Sequence, residues 1–154
     1  MITLTQFERQ LHRALLERVR GADRAKPLDT CLSYLELSRI VDPQQLRAKG
    51  PQPNTSPPFR GLNIALGHVS WYEHDRGRPW LSAVVINADT RQPGPGFVEL
   101  VRQRGVKVDD PEVFWRNEVA RVVDFWSTGD AVLLLDSALD RVLVELADIK
   151  KLLR

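Results

Sequence analysis

At 154 residues, with 43% hydrophobic and 27% charged side chains, the chain has the size and composition of one globular domain. Its single cysteine, Cys31, excludes an internal disulfide and a zinc site built from several cysteines. No apolar run reaches the roughly 20 residues of a membrane-spanning helix, and the first residues lack a signal-peptide pattern, so we predict a cytoplasmic location.

The formal net charge of +2 is unevenly distributed along the chain. Residues 44–107 carry nine basic and four acidic side chains, whereas residues 108–154 carry six and ten. A basic centre is typical of a surface that binds nucleic acid or another polyanion. Scattered solvent-facing arginines would give the same count.

The first predicted element is a helix between Thr5 and Gly21. Thr5 and Glu8 have the spacing of a capping box, and apolar residues recur after them at helical intervals. The polar face of this helix carries Arg9, Arg13, Glu17 and Arg20. A loop around Pro27 follows.

Two short helices are predicted next. Ser33 and Glu36 repeat the capping-box spacing and begin a helix over residues 34–41. A second helix, over residues 43–50, begins with a proline in its first turn and stops at a glycine. Such a pair indicates a helix-turn-helix element. The proline-rich residues 50–58 exclude regular structure.

The third predicted helix, from Phe59 to about His74, has two contrasting faces. One face is apolar and should pack in the core: Leu62, Ala65, Leu66, Val69 and Tyr72. The opposite face forms a stripe of polar or small residues: Arg60, Asn63, Gly67, Ser70 and His74. Arginine and asparagine contact phosphates and base edges, so this stripe predicts a helix that reads a DNA groove. A solvated helix face has the same pattern.

The next segment is read as a strand and two helices. Residues 80–86 are rich in β-branched side chains and predict a strand. A short amphipathic helix is predicted over residues 97–104, after a polar turn and a Pro-Gly corner. Asp110-Pro111 begins another helix, with one apolar face: Trp115, Val119, Val122 and Trp126.

The last predicted helix runs from about Asp130 to the end of the chain. It carries a strict seven-residue repeat: Val132, Leu135, Leu139, Val142, Leu146, Ile149 and Leu153. This stripe either packs on its own domain or pairs with another copy. We expect a homodimer through residues 130–154, which would set two basic centres at a fixed spacing.

Three short motifs lie within residues 33–107. They read Ser-Tyr-Leu-Glu-Leu at 33–37, Arg-Gly-Leu-Asn-Ile-Ala-Leu at 60–66, and Pro-Trp at 79–80 with Val-Val-Ile-Asn-Ala-Asp at 84–89. Together they resemble the winged-helix domain of O6-alkylguanine DNA alkyltransferases and of the alkyltransferase-like proteins, in which tryptophan replaces the reactive cysteine. The strand and the Pro-Gly corner also resemble small bacterial proteins without an assigned activity.

The alkyltransferase resemblance implies roles for two residues. Tyr34 matches the tyrosine that rotates a phosphate, and Arg60 matches the arginine that fills the space of a flipped base. Because no cysteine lies near Pro79, the resemblance implies DNA binding without alkyl transfer.

The sequence therefore predicts one mostly helical α/β domain over residues 1–154. Its parts are an N-terminal helix and loop (1–32), a winged-helix-like core with one short β-ribbon (33–107) and a C-terminal helical pair (108–154). We predict a non-catalytic homodimer that binds duplex DNA, without a membrane, metal or cofactor. Arg60 and Asn63 would act at the groove, and the other predicted contacts are Tyr34, Arg76, Arg78 and Arg91.

Two other functions fit the same sequence. One is a protein-interaction module, of adaptor or antitoxin type, that uses the C-terminal helices. The other is a small metal-dependent hydrolase or nuclease in which Glu73 and His74 share acid–base chemistry or bind a metal.

Overall fold

The computed structural model describes the backbone of residues 2–41, 60–127 and 130–153. These residues form six α-helices: α1 Gln6–Arg20, α2 Tyr34–Val41, α3 Arg60–His74, α4 Pro95–Gln103, α5 Pro111–Ser127 and α6 Asp130–Leu152. Two-residue strands, β1 Leu32–Ser33 and β2 Val85–Ile86, form a parallel sheet. The mostly helical architecture is confirmed, whereas the predicted helix at 43–50 and the proline-rich segment lie outside the described residues.

Three of the predicted helix starts are confirmed by capping hydrogen bonds, whereas α4 begins at Pro95, two residues before its predicted start. In α1, the Thr5 hydroxyl accepts the Glu8 N–H at 3.2 Å, and Glu8 Oε2 accepts the Thr5 N–H at 2.8 Å. Ser33 and Glu36 form the same reciprocal pair before α2, at 3.1 and 2.7 Å. Asp110 Oδ1 accepts two backbone N–H groups at the start of α5. Each cap satisfies donors that the first helical turn leaves unpaired.

The apolar segment 80–86 differs from its prediction as a strand. Leu81–Val84 forms a 3₁₀ turn, and only Val85 and Ile86 form a strand. They pair in parallel with β1, and no strand follows β2 in the described residues, so the predicted β-ribbon is not formed there. Two backbone groups of this segment bond to side chains of α5 instead of to a neighbouring strand. Trp115 Nε1 donates to the Ala83 carbonyl, and Glu118 Oε1 accepts the Trp80 N–H, both at 2.8 Å.

The core lies where α1, α3 and α5 surround segment 80–86. The apolar faces predicted for α3 and α5 are buried: Leu62, Ala65, Leu66, Val69, Tyr72, Trp115, Val119, Val122 and Trp126. From α1, Leu11, Leu15 and Val19 complete this core. These helices therefore form the platform that positions the segments at their ends.

The C-terminal helix α6 contacts this platform through Asp140, whose carboxylate accepts a hydrogen bond from the Tyr72 hydroxyl. Beyond Asp140, the side chains of residues 141–153 are all exposed. Although α6 is 23 residues long, neither it nor any other described helix is long and apolar enough to cross a bilayer.

Candidate functional site

The polar stripe predicted on α3 divides into an exposed and a buried half. Asn63, in the first turn, is exposed to solvent. Further along, Ser70 is fully buried, and its hydroxyl hydrogen-bonds to the Ser82 hydroxyl at 2.5 Å and accepts the Ser82 N–H at 3.0 Å. Gly67 faces Leu100 of α4. The expectation that the whole stripe faces solvent is therefore corrected, because its second half packs on the segments that follow α3.

The exposed start of α3 is the first part of the candidate site. Gly61, Asn63 and Ile64 face solvent, and Ile64 retains 56% of its accessible surface. The first turn contains no acidic residue. Because backbone N–H groups at a helix start carry partial positive charge, this end of α3 favours an anion. The side chain of Arg60 lies outside the described residues.

Tyr34, at the start of α2, supports the corner that precedes α4. Its hydroxyl accepts the Gly94 N–H at 3.3 Å, and the side chain is half-buried. Burial raises the pKa of Tyr34, and the Gly94 hydrogen bond acts in the opposite direction. The observed contact is thus structural: it joins the start of α2 to the turn between β2 and α4.

Arg91 lies in that turn with an exposed side chain. Its backbone has a positive φ of 54°, and its N–H donates to the Asn87 carbonyl at 2.9 Å. Burial raises the pKa of the Cys31 thiol to about 11, while the nearby charges of Arg91 and Arg18 oppose that rise. Arg18 also donates to the Thr30 carbonyl at 2.8 Å. The Arg18 guanidinium therefore lies beside Cys31, just before β1, and Arg91 adds a second positive charge that acts on the thiol.

The other two predicted phosphate ligands lie at the opposite end of α3. The Arg76 guanidinium lies 3.6 Å above the centre of the Tyr72 ring and is half-buried. Arg78 retains only 9% exposure and forms an ion pair with Glu73. The prediction that Arg78 contacts DNA phosphates is corrected, because this guanidinium faces the interior. Arg76 contacts Tyr72 near the end of α3, whereas Arg91 lies in the turn after β2. These two predicted phosphate ligands therefore lie in different parts of the fold.

Glu73 and His74, the alternative catalytic pair, are separated by the fold. The Glu73 carboxylate is fully buried and bound by Arg78 and His12, whereas the His74 ring stacks on Trp80 with centroids 4.2 Å apart. Burial acts to raise the pKa of Glu73, but the hydrogen bonds and charges of His12 and Arg78 outweigh it and leave the pKa lowered. This arrangement stabilises the fold and presents no open acid–base pair.

Two histidine–carboxylate hydrogen bonds between α1 and α3 were not predicted from the sequence. Glu8 Oε1 lies 2.6 Å from His68 Nδ1, and His12 Nε2 lies 2.8 Å from Glu73 Oε1. Along α1, Glu8 comes before His12, and along α3 their partners His68 and Glu73 follow in the same order. The two helices therefore run in the same direction. The spacing of Glu8 and His12 places them on one face of α1, but nothing in the sequence identifies their partners.

Within the described residues, no cluster of three or more His, Cys, Asp or Glu side chains is arranged to hold a metal ion.

A basic face on α1 is the second part of the candidate site. Its predicted polar residues are all exposed: Arg9, Arg13, Glu17 and Arg20. Glu8, the other acidic residue of the helix, is buried against His68 and adds no negative charge to this face. The outer surface of α1 is therefore predominantly positive, and the Glu8–His68 and His12–Glu73 contacts place it beside the second half of α3.

Comparison with protein-family models, curated proteins and solved structures finds no match for this chain. Any functional conclusion must therefore come from the geometry of the described residues.

Proposed function

We propose that the protein binds duplex DNA without catalysis, with the exposed start of α3 at a groove and basic side chains on the flanking phosphates. The observation that carries the proposal is the first turn of α3, where Asn63 faces solvent in a turn without acidic residues. Asparagine can bond to adenine through both groups of its amide, and the helix start attracts phosphate.

The flanking contacts would come from Arg91 and from the basic face of α1. Arg91 is exposed in the turn that follows β2. Arg9 and Arg13 are exposed on α1, next to Glu8 and His12, which contact His68 and Glu73 in the second half of α3. Arginine side chains at such positions orient a protein on the duplex without reading its sequence. Arg78 is left out of this set because it is paired inside the fold.

The proposed fold class is a winged helix in which the turn after β2 stands in place of the β-ribbon, since β2 pairs with β1. The chain order supports it: the capped helix α2, a segment outside the described residues, α3, then β2 and the turn that carries Arg91. In a winged helix, the helix in the position of α3 enters the groove and the turn after the strand contacts the backbone. The hydrogen bond from the Gly94 N–H to Tyr34 fixes that turn against α2.

A second candidate function is protein interaction through α6. Its side chains beyond Asp140 are exposed, and many of them are large and apolar. Exposed apolar stripes of this kind mark protein–protein contacts. This candidate and DNA binding use separate parts of the molecule.

The test of DNA binding is a fluorescence-anisotropy titration of a labelled duplex over a series of salt concentrations. We expect the affinity to fall steeply with salt, since bound phosphates release their counterions. The variant Asn63→Ala/Arg91→Ala should bind roughly tenfold more weakly or worse, because a base contact is worth about 1–3 kcal/mol. Its salt slope should be shallower by about 0.9 for the lost phosphate contact.

The matched control is Arg116→Ala, which removes one exposed arginine from α5, where it pairs with Glu112. It changes the net charge as Arg91→Ala does but lies outside the proposed surface, so its affinity should equal that of the unmodified protein. Absence of duplex binding at low salt, or equal weakening in the control and the double variant, would overturn the proposal.

A further inference from the structure

The C-terminal half of α6 carries an apolar seam that nothing in the described chain covers. Five residues repeat at alternating intervals of three and four: Leu139, Val142, Leu146, Ile149 and Leu153. Their exposed fractions range from 49% to 82%. Apolar side chains in this repeat normally insert between the side chains of another helix.

Among the described residues, one side-chain hydrogen bond joins this part of α6 to the rest of the domain, and it lies on a different face of the helix from the seam. Asp140 bonds to Tyr72 of α3. At 100° per residue, Asp140 lies about 130° around the helix from the middle of the stripe formed by Leu139 and Val142. The helix face that holds α6 to its own domain is therefore not the face that needs a partner.

The residue types at the core positions of the seam indicate how many helices associate in the coiled coil. The interval from Leu139 to Val142 is three, so Leu139 and Leu146 are at heptad position a, and Val142 and Ile149 are at position d. Leucine at a with β-branched residues at d shifts parallel coiled coils from two strands towards three or four. Two strands are favoured by the reverse arrangement.

The residues beside the seam favour four strands and a parallel orientation. Leu143 at position e and Leu152 at position g are 59% and 85% exposed, so the apolar face is wider than a two-stranded contact covers. Glu145 at g lies five residues before Lys150 at e, which sets opposite charges against each other between parallel neighbouring helices. Because every copy of the chain carries both Glu145 and Lys150, the α6 surfaces of two copies are complementary in charge.

We propose that α6 assembles with three further copies of this chain as a parallel four-stranded coiled coil. The inference deepens the second candidate function by naming its partner, and it does not depend on DNA binding. It also changes the expected stoichiometry, since the heptad repeat taken alone suggested a dimer.

Sedimentation equilibrium of the full chain, without DNA, tests this assembly. Four copies of the 17.5 kDa chain give an expected mass of about 70 kDa. A variant that exchanges the two core positions, Leu139→Ile, Leu146→Ile and Leu153→Ile with Val142→Leu and Ile149→Leu, keeps the seam apolar. We expect it to form dimers of half that mass, with unchanged helical circular dichroism.

Charge variants test the orientation and the identity of the partner. Glu145→Lys sets like charges against each other at every neighbouring pair and should weaken association at low salt. Glu145→Lys/Lys150→Glu restores opposite charges and should restore it. A monomeric, dimeric or trimeric mass for the unmodified chain, or a core-exchange variant that keeps the mass of four copies, refutes the four-stranded assembly. Failure of the double charge variant to recover refutes the parallel orientation.

Discussion

Arg78 binds both carboxylate oxygens of Glu73, with Nε 2.8 Å from Oε2 and Nη2 2.8 Å from Oε1. The turn after α3 makes this possible: Gly77 has a left-handed φ of 75°, and the Arg78 N–H returns to the Glu73 carbonyl at 3.0 Å. A glycine at this point of a helix end adopts that φ without a steric penalty. The chain therefore folds Arg78 back over the last turn of α3.

Removing Arg78 should destabilise the protein strongly, because the Glu73 charge would remain buried with only His12 beside it. We expect Arg78→Met to lower the free energy of unfolding by about 3–5 kcal/mol in urea titrations. Arg116→Met is the matched control; its exposed pair with Glu112 should cost less than about 1 kcal/mol. In Glu73→Leu/Arg78→Met both charges are gone, so most of the loss should be recovered. Equal stability of the two single variants would contradict a structural role for this pair.

Acid should destabilise the fold through Glu8 and Glu73. Burial acts to raise both pKa values, but the Thr5 N–H and His68 at Glu8, and His12 and Arg78 at Glu73, leave them below the ordinary 4.5. The unfolded chain therefore takes up these protons first, so the contribution is complete above pH 4.5 and is lost as the pH falls through the folded-state values.

Urea midpoints measured as the pH is lowered from neutrality test this dependence. Glu8→Gln/Glu73→Gln should be less stable at neutral pH and should lose less stability in acid than the unmodified protein. Glu17→Gln removes an exposed carboxylate from the same helix α1 and should leave the acid profile unchanged. An unaltered profile in the double variant would show that other groups control acid unfolding.

Two glycines should respond to alanine in opposite directions. At Gly67, inside α3, an added Cβ would lie 3.4 Å from Leu100 Cδ1, an ordinary contact, so Gly67→Ala should stabilise the protein by about 0.5–1 kcal/mol. At Gly77 the left-handed φ penalises a Cβ, so Gly77→Ala should destabilise it by about 1–2 kcal/mol. Thermal denaturation measures both. Because Gly67 faces Leu100, its variant should also bind duplex DNA normally; impaired binding by a stable Gly67→Ala protein would place the DNA contact elsewhere.

The sequence predicted those features of the fold that depend on neighbouring residues. The Thr5 and Ser33 capping boxes and the helical periodicity of α3 and α5 are local patterns, and all are confirmed. Segment 80–86 was read as a strand because its composition is β-rich. In the structure it bonds to Trp115 and Glu118, more than thirty residues away, and also to Ser70 and β1, and no local pattern reports these partners.

The candidate site was less predictable for the same reason. The α3 stripe has a helical period from Asn63 to Ser70, but periodicity does not tell which polar face will be covered by another segment. Arg78 looked like a surface arginine because its partner, Glu73, could not be distinguished from an exposed carboxylate. The burial of this ion pair depends on the helices packed around it, which the sequence near Glu73 does not reveal. The positive φ of Gly77, which brings Arg78 back to Glu73, also cannot be predicted from residue spacing alone.

The most direct test of the proposed function is an amide NMR titration of the full chain with a duplex at low salt. We expect the largest chemical-shift changes at residues 61–64, at the start of α3, and at Arg91, with smaller changes on the outer face of α1. Amides near Arg116 should not shift. No saturable shifts, or shifts confined to α6, would contradict DNA binding through the start of α3.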